Sequence, residues 1–178
     1  MSDLTLFGLS GALRAGSFNT QLLLQAASLF GGNFNQGDLN LPLYNADDET
    51  SSGIPATVQL LADQIASADA IVIATPEYNK APSGVLKNAL DWISRTEGKP
   101  FAGKPVALIS ATAGRTGGET ALGHLRAWMV PFQPRLLLGN EVQIAGSMRE
   151  FENGSLISER YTATLTTLMT RLRAEASR

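Results

Sequence analysis

Ala70-Ile71-Val72-Ile73-Ala74-Thr75-Pro76-Glu77-Tyr78-Asn79-Lys80 is the stretch on which the fold turns. Its first five residues are continuously apolar, rich in β-branched side chains and too short for a helix. That is the pattern of a strand buried on both faces. Pro76 ends the strand, because it brings no N–H to a ladder and pushes its predecessor toward extended geometry. Beyond the loop, Val85, Leu86, Ala89 and Ile93 recur at helical spacing through residues 84–95, and Ser83 stands where an N-cap belongs. The unit is strand, polar loop, helix. Open α/β sheets hold their ligands beyond the carboxyl ends of the strands, so residues 75–80 are a candidate binding loop.

The same unit recurs on either side. Residues 4–9 read as a first strand, followed by a helix with Leu22, Leu23, Ala26, Ala27 and Phe30 on one face and Gly31-Gly32 as its stop. Residues 33–43 are more polar and interrupted by Gly37, which suits a weaker edge strand. Residues 44–53, acidic at Asp47-Asp48-Glu49, read as a long loop. A helix with Pro55 near its start and Val58, Leu61, Ala62 and Ile65 inward leads into the central unit. After it, Val106-Ala107-Leu108-Ile109-Ser110 is another buried strand, and Ala121, Leu122, Leu125, Trp128 and Met129 mark a helix closed by Pro131 and Pro134. Residues 135–138 begin a last strand, residues 146–154 read as a loop or hairpin, and a helix bearing Tyr161, Leu165, Leu168, Met169 and Leu172 ends the chain.

Strands alternating with helices imply a parallel sheet with helices on both faces. Five strands with an edge-like second one predict a flavodoxin-like three-layer α/β sandwich of order 2-1-3-4-5, in one domain spanning residues 1–178. Three strands then deliver small, polar, Gly-rich loops to one rim.

Composition narrows the chemistry. With 14 Lys+Arg against 16 Asp+Glu the net charge is -2, which lacks the basic face a nucleic-acid partner needs. No apolar run reaches the ~20 residues of a membrane span, and no basic-then-apolar leader opens the chain, so a cytoplasmic protein is expected. There is no cysteine and one histidine, His124, which removes thiolate catalysis, disulfides and Cys- or His-rich metal sites. No catalytic side chain and no metal ligand set emerge. The chemistry calls for a borrowed cofactor.

The first rim loop, Ser10-Gly11-Ala12-Leu13-Arg14-Ala15-Gly16-Ser17-Phe18-Asn19, offers hydroxyls, an amide, a guanidinium and a helix N-terminus. An ordinary tight turn also uses Gly and Ser. Arg14 favours phosphate, since a cation beside a helix N-terminus is unhelpful unless an anion lies between them. Gly11 to Gly16 has the spacing of a nucleotide-gripping loop, but Ser17-Phe18 replaces its Lys-Ser/Thr pair. Gly8-Leu9-Ser10-Gly11-Ala12 approaches a nucleophile elbow without the last glycine, and His124, on a helix with no marked partner, reads as a surface or interface residue. In the second loop, Tyr78 suits the face of a planar ring and Asn79 suits ring heteroatoms, with a polar surface turn under a tyrosine lid as the alternative. Glu77 has no proton-transfer partner in view and reads as a positioning residue. The third loop, Ala111-Thr112-Ala113-Gly114-Arg115-Thr116-Gly117-Gly118, lets backbone approach a ligand closely. Arg115 at its tip is open to two readings, solvated or meeting a pyridine-nucleotide phosphate.

Gly11-Ala12-Leu13-Arg14-x-x-Ser17-x-Asn19, then Pro76-Glu77-Tyr78-Asn79 with Gly84-Val85-Leu86-Lys87-Asn88-Ala89-Leu90-Asp91-Trp92, resemble the NAD(P)H-dependent FMN reductase family, which includes bacterial quinone and chromate reductases. Gly114-x-x-Gly117-Gly118 followed by His124-Leu125-Arg126 extends the match over nearly the whole chain. The resemblance implies FMN at the rim, with its phosphate among Ser10, Gly11, Ala12, Leu13, Arg14, Ser17, Phe18 and Asn19. Its ring would lie along Pro76, Glu77, Tyr78, Asn79, Ser110, Ala111, Thr112 and Gly114. Two departures stand out: the family often has serine at Ala12 and near Ala111, with Ser10, Ser17, Ser110 and Thr112 at hand to compensate. The resemblance further implies hydride transfer from NADPH or NADH, through FMN, to a small-molecule acceptor (a quinone, flavin, chromate or ferric complex) by a ping-pong mechanism. It implies a homodimer or homotetramer as well, for which residues 146–156 and Arg126 with Trp128 are the candidate interface. A flavodoxin-like electron carrier without reductase activity is the rival, and carriers of that kind are typically far more acidic than -2.

Overall fold

The computed structural model describes residues 3–139 and 141–178. Strands β1 (Thr5–Ser10), β2 (Asn33–Gly37), β3 (Ala70–Ala74), β4 (Pro105–Ala111) and β5 (Arg135–Leu136) form a parallel sheet of order β2-β1-β3-β4-β5. Helices α1 (Phe18–Phe30), α2 (Ala46–Ser52), α3 (Ala56–Ser67), α4 (Gly84–Ile93), α5 (Glu119–Met129) and α6 (Glu159–Ala176) flank it.

The central strands are apolar throughout because both of their faces are covered. Leu6, Val72, Ala107 and Ile109 point to one side, into a core closed by α1 and α6 through Leu22, Leu23, Leu165, Leu168 and Leu172. Phe7, Leu9, Ile71, Ile73, Val106 and Leu108 point to the other, against Leu61 and Ile65 of α3, Leu86 and Ile93 of α4 and Leu122 and Leu125 of α5. Each fully buried aliphatic side chain of this kind contributes about 1.5–3 kcal/mol by leaving water.

Three expectations need correction. Residues 44–53 are not all loop: Asn45 accepts a hydrogen bond from the Asp47 N–H, and Asp47, Asp48 and Glu49 occupy the first turn of α2. An amide cap with carboxylates at the positive end of the helix dipole makes this acidic run a helix start. The edge strand β2 stops at Gly37 rather than continuing to residue 43, because the Asp38 carboxylate turns the chain by accepting from the Asn40 N–H at 2.8 Å. The last strand is broken. Arg135 and Leu136 of β5 pair with Pro105 and Val106, while a further strand, β6 (Val142–Ile144), pairs with Ile109 to Ala111. Six residue steps on this edge span three on β4, and the excess is taken up around exposed Leu138 and Gly139, at φ +75°.

The region after β6 is compact. A 3-10 turn over Ser147–Arg149 leads into a hairpin of β7 (Phe151–Glu152) and β8 (Ser155–Leu156). Asn153 and Gly154 both take positive φ at its tip, the backbone that a two-residue hairpin turn requires. Arg126, an interface candidate, forms an ion pair with Glu141 within the chain. Trp128 is half-buried under the Lys87 ammonium, 5.8 Å from the ring centre.

Candidate cofactor cleft at the carboxyl rim of the sheet

The loops after β1, β3 and β4 meet above the carboxyl rim and enclose a cleft of about 560 Å³. Arg14, Ser17, Phe18 and Asn19 line it from the first loop, Pro76, Glu77 and Tyr78 from the second, and Ala111, Thr112, Ala113 and Gly114 from the third. Ser147 and Met148, which sequence reasoning had not placed in a binding site, complete the wall. Their place depends on two backbone hydrogen bonds between distant loops: the Ser147 N–H donates to the Thr112 carbonyl at 2.9 Å and the Gly146 N–H to the Gly114 carbonyl at 3.1 Å. No sequence pattern announces such a seam.

The first loop is a cradle of donors. Ser17 caps α1 by accepting from the Asn19 N–H, and no acidic side chain occupies the first turn of that helix. The N–H groups of Ala12, Leu13, Arg14, Ala15, Gly16 and Phe18 have no acceptor among the described residues. Arg14 is exposed, pairs with no carboxylate among the described residues, and lies 6.0 Å over the Phe18 ring. Unpaired donors, a helix N-terminus and a free guanidinium converge where an anion is favoured.

Asn19 has another occupation. It is buried, its Oδ1 accepts from the Ala111 N–H and its Nδ2 donates to the Ala111 carbonyl, both at 2.9 Å. The amide therefore fastens the start of α1 to the end of β4, holding the first and third loops at a fixed separation.

Glu77 likewise bridges elements. The N-cap of α5, Gly118, offers no side-chain hydrogen bond, and the Glu77 carboxylate supplies it by accepting from the Ala121 N–H at 3.0 Å. Its other oxygen accepts from Lys80 at 3.3 Å. Tyr78 and Ala81 exchange both backbone hydrogen bonds, and Asn79 and Lys80 take positive φ between them, so this loop ends in a tight two-residue turn. Tyr78 is 57% exposed at the cleft mouth, while Asn79 sits at the tip of the turn, outside the lining.

The remaining candidates are placed nearby. Ser10, Ala12 and Leu13 line a smaller recess of about 350 Å³ on the β2 side, which shares Arg14 with the cleft. Within it the Ser10 and Thr20 hydroxyls are paired at 2.8 Å. Gly11 is buried, with its N–H on the Ala74 carbonyl at 2.8 Å, and a Cβ there would approach the Ser83 hydroxyl to 2.8 Å. Ser110 lies inside the sheet, donating to the Thr75 carbonyl at 2.7 Å, beneath Gly118. His124 is exposed on α5.

The described residues hold no cluster of His, Cys, Asp or Glu suited to a metal ion, and no described helix is long and apolar enough to cross a membrane. Comparison with known proteins agrees with this geometry. The structure superposes on the flavoenzyme NAD(P)H:(acceptor) oxidoreductase of Paracoccus denitrificans with a TM-score of 0.87 and 28% identity, covering 98% of this chain and 97% of that one. Fold and cleft thus define a flavodoxin-like oxidoreductase. In sequence, the chain is 41% identical over 162 residues to an NAD(P)H-dependent FMN reductase of Pseudomonas aeruginosa, covering 89% of this chain and 87% of that protein. It is 43% identical over 126 residues to a quinone reductase of Escherichia coli, covering 68% of this chain and 67% of that one. The model of the NADPH-dependent FMN reductase family matches residues 4–150, and the chain belongs to that family. Its cofactor is FMN and its electron donor NAD(P)H.

Proposed function

We propose that the rim cleft holds FMN with its phosphate in the Arg14–Ser17 cradle and its ring between Tyr78 and the Ala111–Gly114 wall, and that the protein passes two electrons from NAD(P)H to a quinone or similar small acceptor. One observation carries this reading: the N-terminus of α1 at Ser17 and Phe18 and an arginine without a carboxylate partner among the described residues line the same cleft that an aromatic ring and a Gly-rich loop close on its other sides. The residues fit the group. The one carboxylate lining the cleft, Glu77, has its oxygens engaged by Ala121 and Lys80, so no free negative charge opposes a phosphate.

Bound there, FMN supplies the hydride chemistry. The chain supplies the rest. The α1 N-terminus and Arg14 fix the anionic end. The Asn19–Ala111 clamp sets the distance between that end and the ring wall. Pro76 and the Tyr78–Ala81 turn stiffen the opposite wall, so a flat donor and a flat acceptor meet one open face and occupy it in turn. Parallel double-reciprocal lines are the expected kinetic signature.

Residues 1–178 act in this reading as a single FMN-binding domain of a cytoplasmic homodimer or homotetramer. Leu13 and Tyr78, both exposed near the cleft, support a contact between copies. The test is the absorption spectrum of the purified protein with FMN, followed anaerobically while NADPH or NADH is added. Bleaching, with recovery when a quinone is supplied, is expected. A yellow protein that neither nucleotide bleaches would overturn the reductase.

A further inference from the structure

The chain contains no cysteine and four methionines. Met129 and Met169 are fully buried, whereas Met148 is 75% exposed and lines the cleft. Among the described residues it is thus the one sulfur that solvent reaches. Its seat is firm. The 3-10 turn that carries it is held by the Ser147–Thr112 and Gly146–Gly114 hydrogen bonds, and the Arg149 N–H closes the turn on the Gly146 carbonyl at 2.9 Å. Two residues after the turn, Phe151 packs on Phe18 with ring centres 5.3 Å apart.

We propose that Met148 is a modification site, oxidised by hydrogen peroxide to the sulfoxide, and that this oxidation lowers the affinity of the cleft for flat apolar acceptors. In the step, the thioether sulfur attacks one peroxide oxygen. The S–O bond forms as the O–O bond breaks, sulfur gives up two electrons, and the other oxygen leaves as water after taking up a proton. No thiol on this chain competes for the oxidant. The product is polar where the side chain was apolar, and it projects from the wall on which an acceptor must lie. Because the turn is anchored by backbone hydrogen bonds in which the Met148 side chain takes no part, the change is one of surface chemistry and not of fold. The oxidation stands on exposure and placement. The effect on acceptors rests on the proposed function.

The test treats the FMN-loaded protein with hydrogen peroxide and follows peptide masses, thermal stability and kinetics together. The peptide bearing Met148 is expected to gain one oxygen well before those bearing Met129 or Met169. KM for an apolar quinone should rise several-fold with kcat held and the melting temperature unmoved, and methionine sulfoxide reductases should reverse the shift. Met148→Leu, compared with itself before and after peroxide, should show no change in KM. Equal oxidation of Met129 or Met169, or an unaltered KM with Met148 fully oxidised, would overturn the proposal. Absence of quinone turnover before treatment would instead strike the acceptor assignment, and the mass map would still decide the site.

Discussion

Arg14 and Asn19 come from one loop and do different work. Among the described residues Arg14 is held by nothing stronger than the face of Phe18, which leaves its guanidinium to meet an anion. Arg14→Ala should weaken FMN binding by about 1.5–3 kcal/mol, the range for a hydrogen bond to a charged group, which is a rise in dissociation constant of roughly 10- to 140-fold. The fold should survive, since the side chain is exposed. Fluorescence titration of FMN reads the effect, and an unchanged constant would remove Arg14 from the cradle. Asn19→Ala should behave the other way round. It strips Ala111 of both its partners in a buried place, and each orphaned group costs about 1–3 kcal/mol. A loss of thermal stability in the cofactor-free protein is expected, and a melting curve like that of the parent would disprove the clamp. The sequence shows Asn19 as a donor and an acceptor in one side chain. Only the folded chain shows that the backbone of Ala111, 92 residues away, satisfies both.

At the level of elements, α2 and the chain before it are tied to α4 by a small polar cluster. The Glu49 carboxylate accepts from Tyr44 Oη at 2.9 Å and from Arg95 Nε at 3.0 Å, while Tyr44 stands edge-on to Trp92 at 5.0 Å. Trp92 and Asn88 both donate to the Pro42 carbonyl, at 2.8 and 2.9 Å. The Arg95 guanidinium, with the Tyr44 hydroxyl assisting, holds the Glu49 carboxyl below its ordinary value of 4.5. A depressed carboxyl adds stability above its unfolded pKa and loses it as pH falls through the folded one. Between neutrality and about pH 4.5 the contribution should therefore be intact, and it should fade on further acidification. Glu49→Gln should show a shallower loss of melting temperature on that acid side, and parallel curves for the two proteins would count against the linkage. This cluster also explains why the acidic run misled a pattern-based reading. Asp and Glu in sequence suggest solvent, but here Asn45 starts a helix whose carboxylates face its positive end and whose Glu49 is spoken for by Arg95.

For the whole molecule, strand order and layers were legible because β1, β3 and β4 bury both faces and have no other way to read. Three of the four cleft walls were legible for the same reason, since each follows directly from one of those strands. The fourth, Ser147 and Met148, arrives through hydrogen bonds between loops more than thirty residues apart, which periodicity does not encode. With those walls held together by the folded chain, a ligand seated among them should stabilise the whole. At a hundredfold excess of FMN over its dissociation constant the gain is about 2.7 kcal/mol, so the melting temperature should climb with FMN concentration. Riboflavin, which lacks the phosphate, should give a much smaller rise. Equal shifts from the two would contradict the anion cradle.

The interrupted fifth strand has a consequence beyond the site. A sheet edge with a long row of unpaired N–H and C=O groups is a template onto which another chain can add, the first step toward aggregation. Here one outer strand is the polar run Asn33-Phe34-Asn35-Gln36-Gly37, and the opposite margin is cut into pieces of two and three residues with Gly139 between them. Neither border offers an incoming strand a straight apolar ladder. The break that costs the sheet regular pairing thus removes the straight template on which edge-to-edge growth depends.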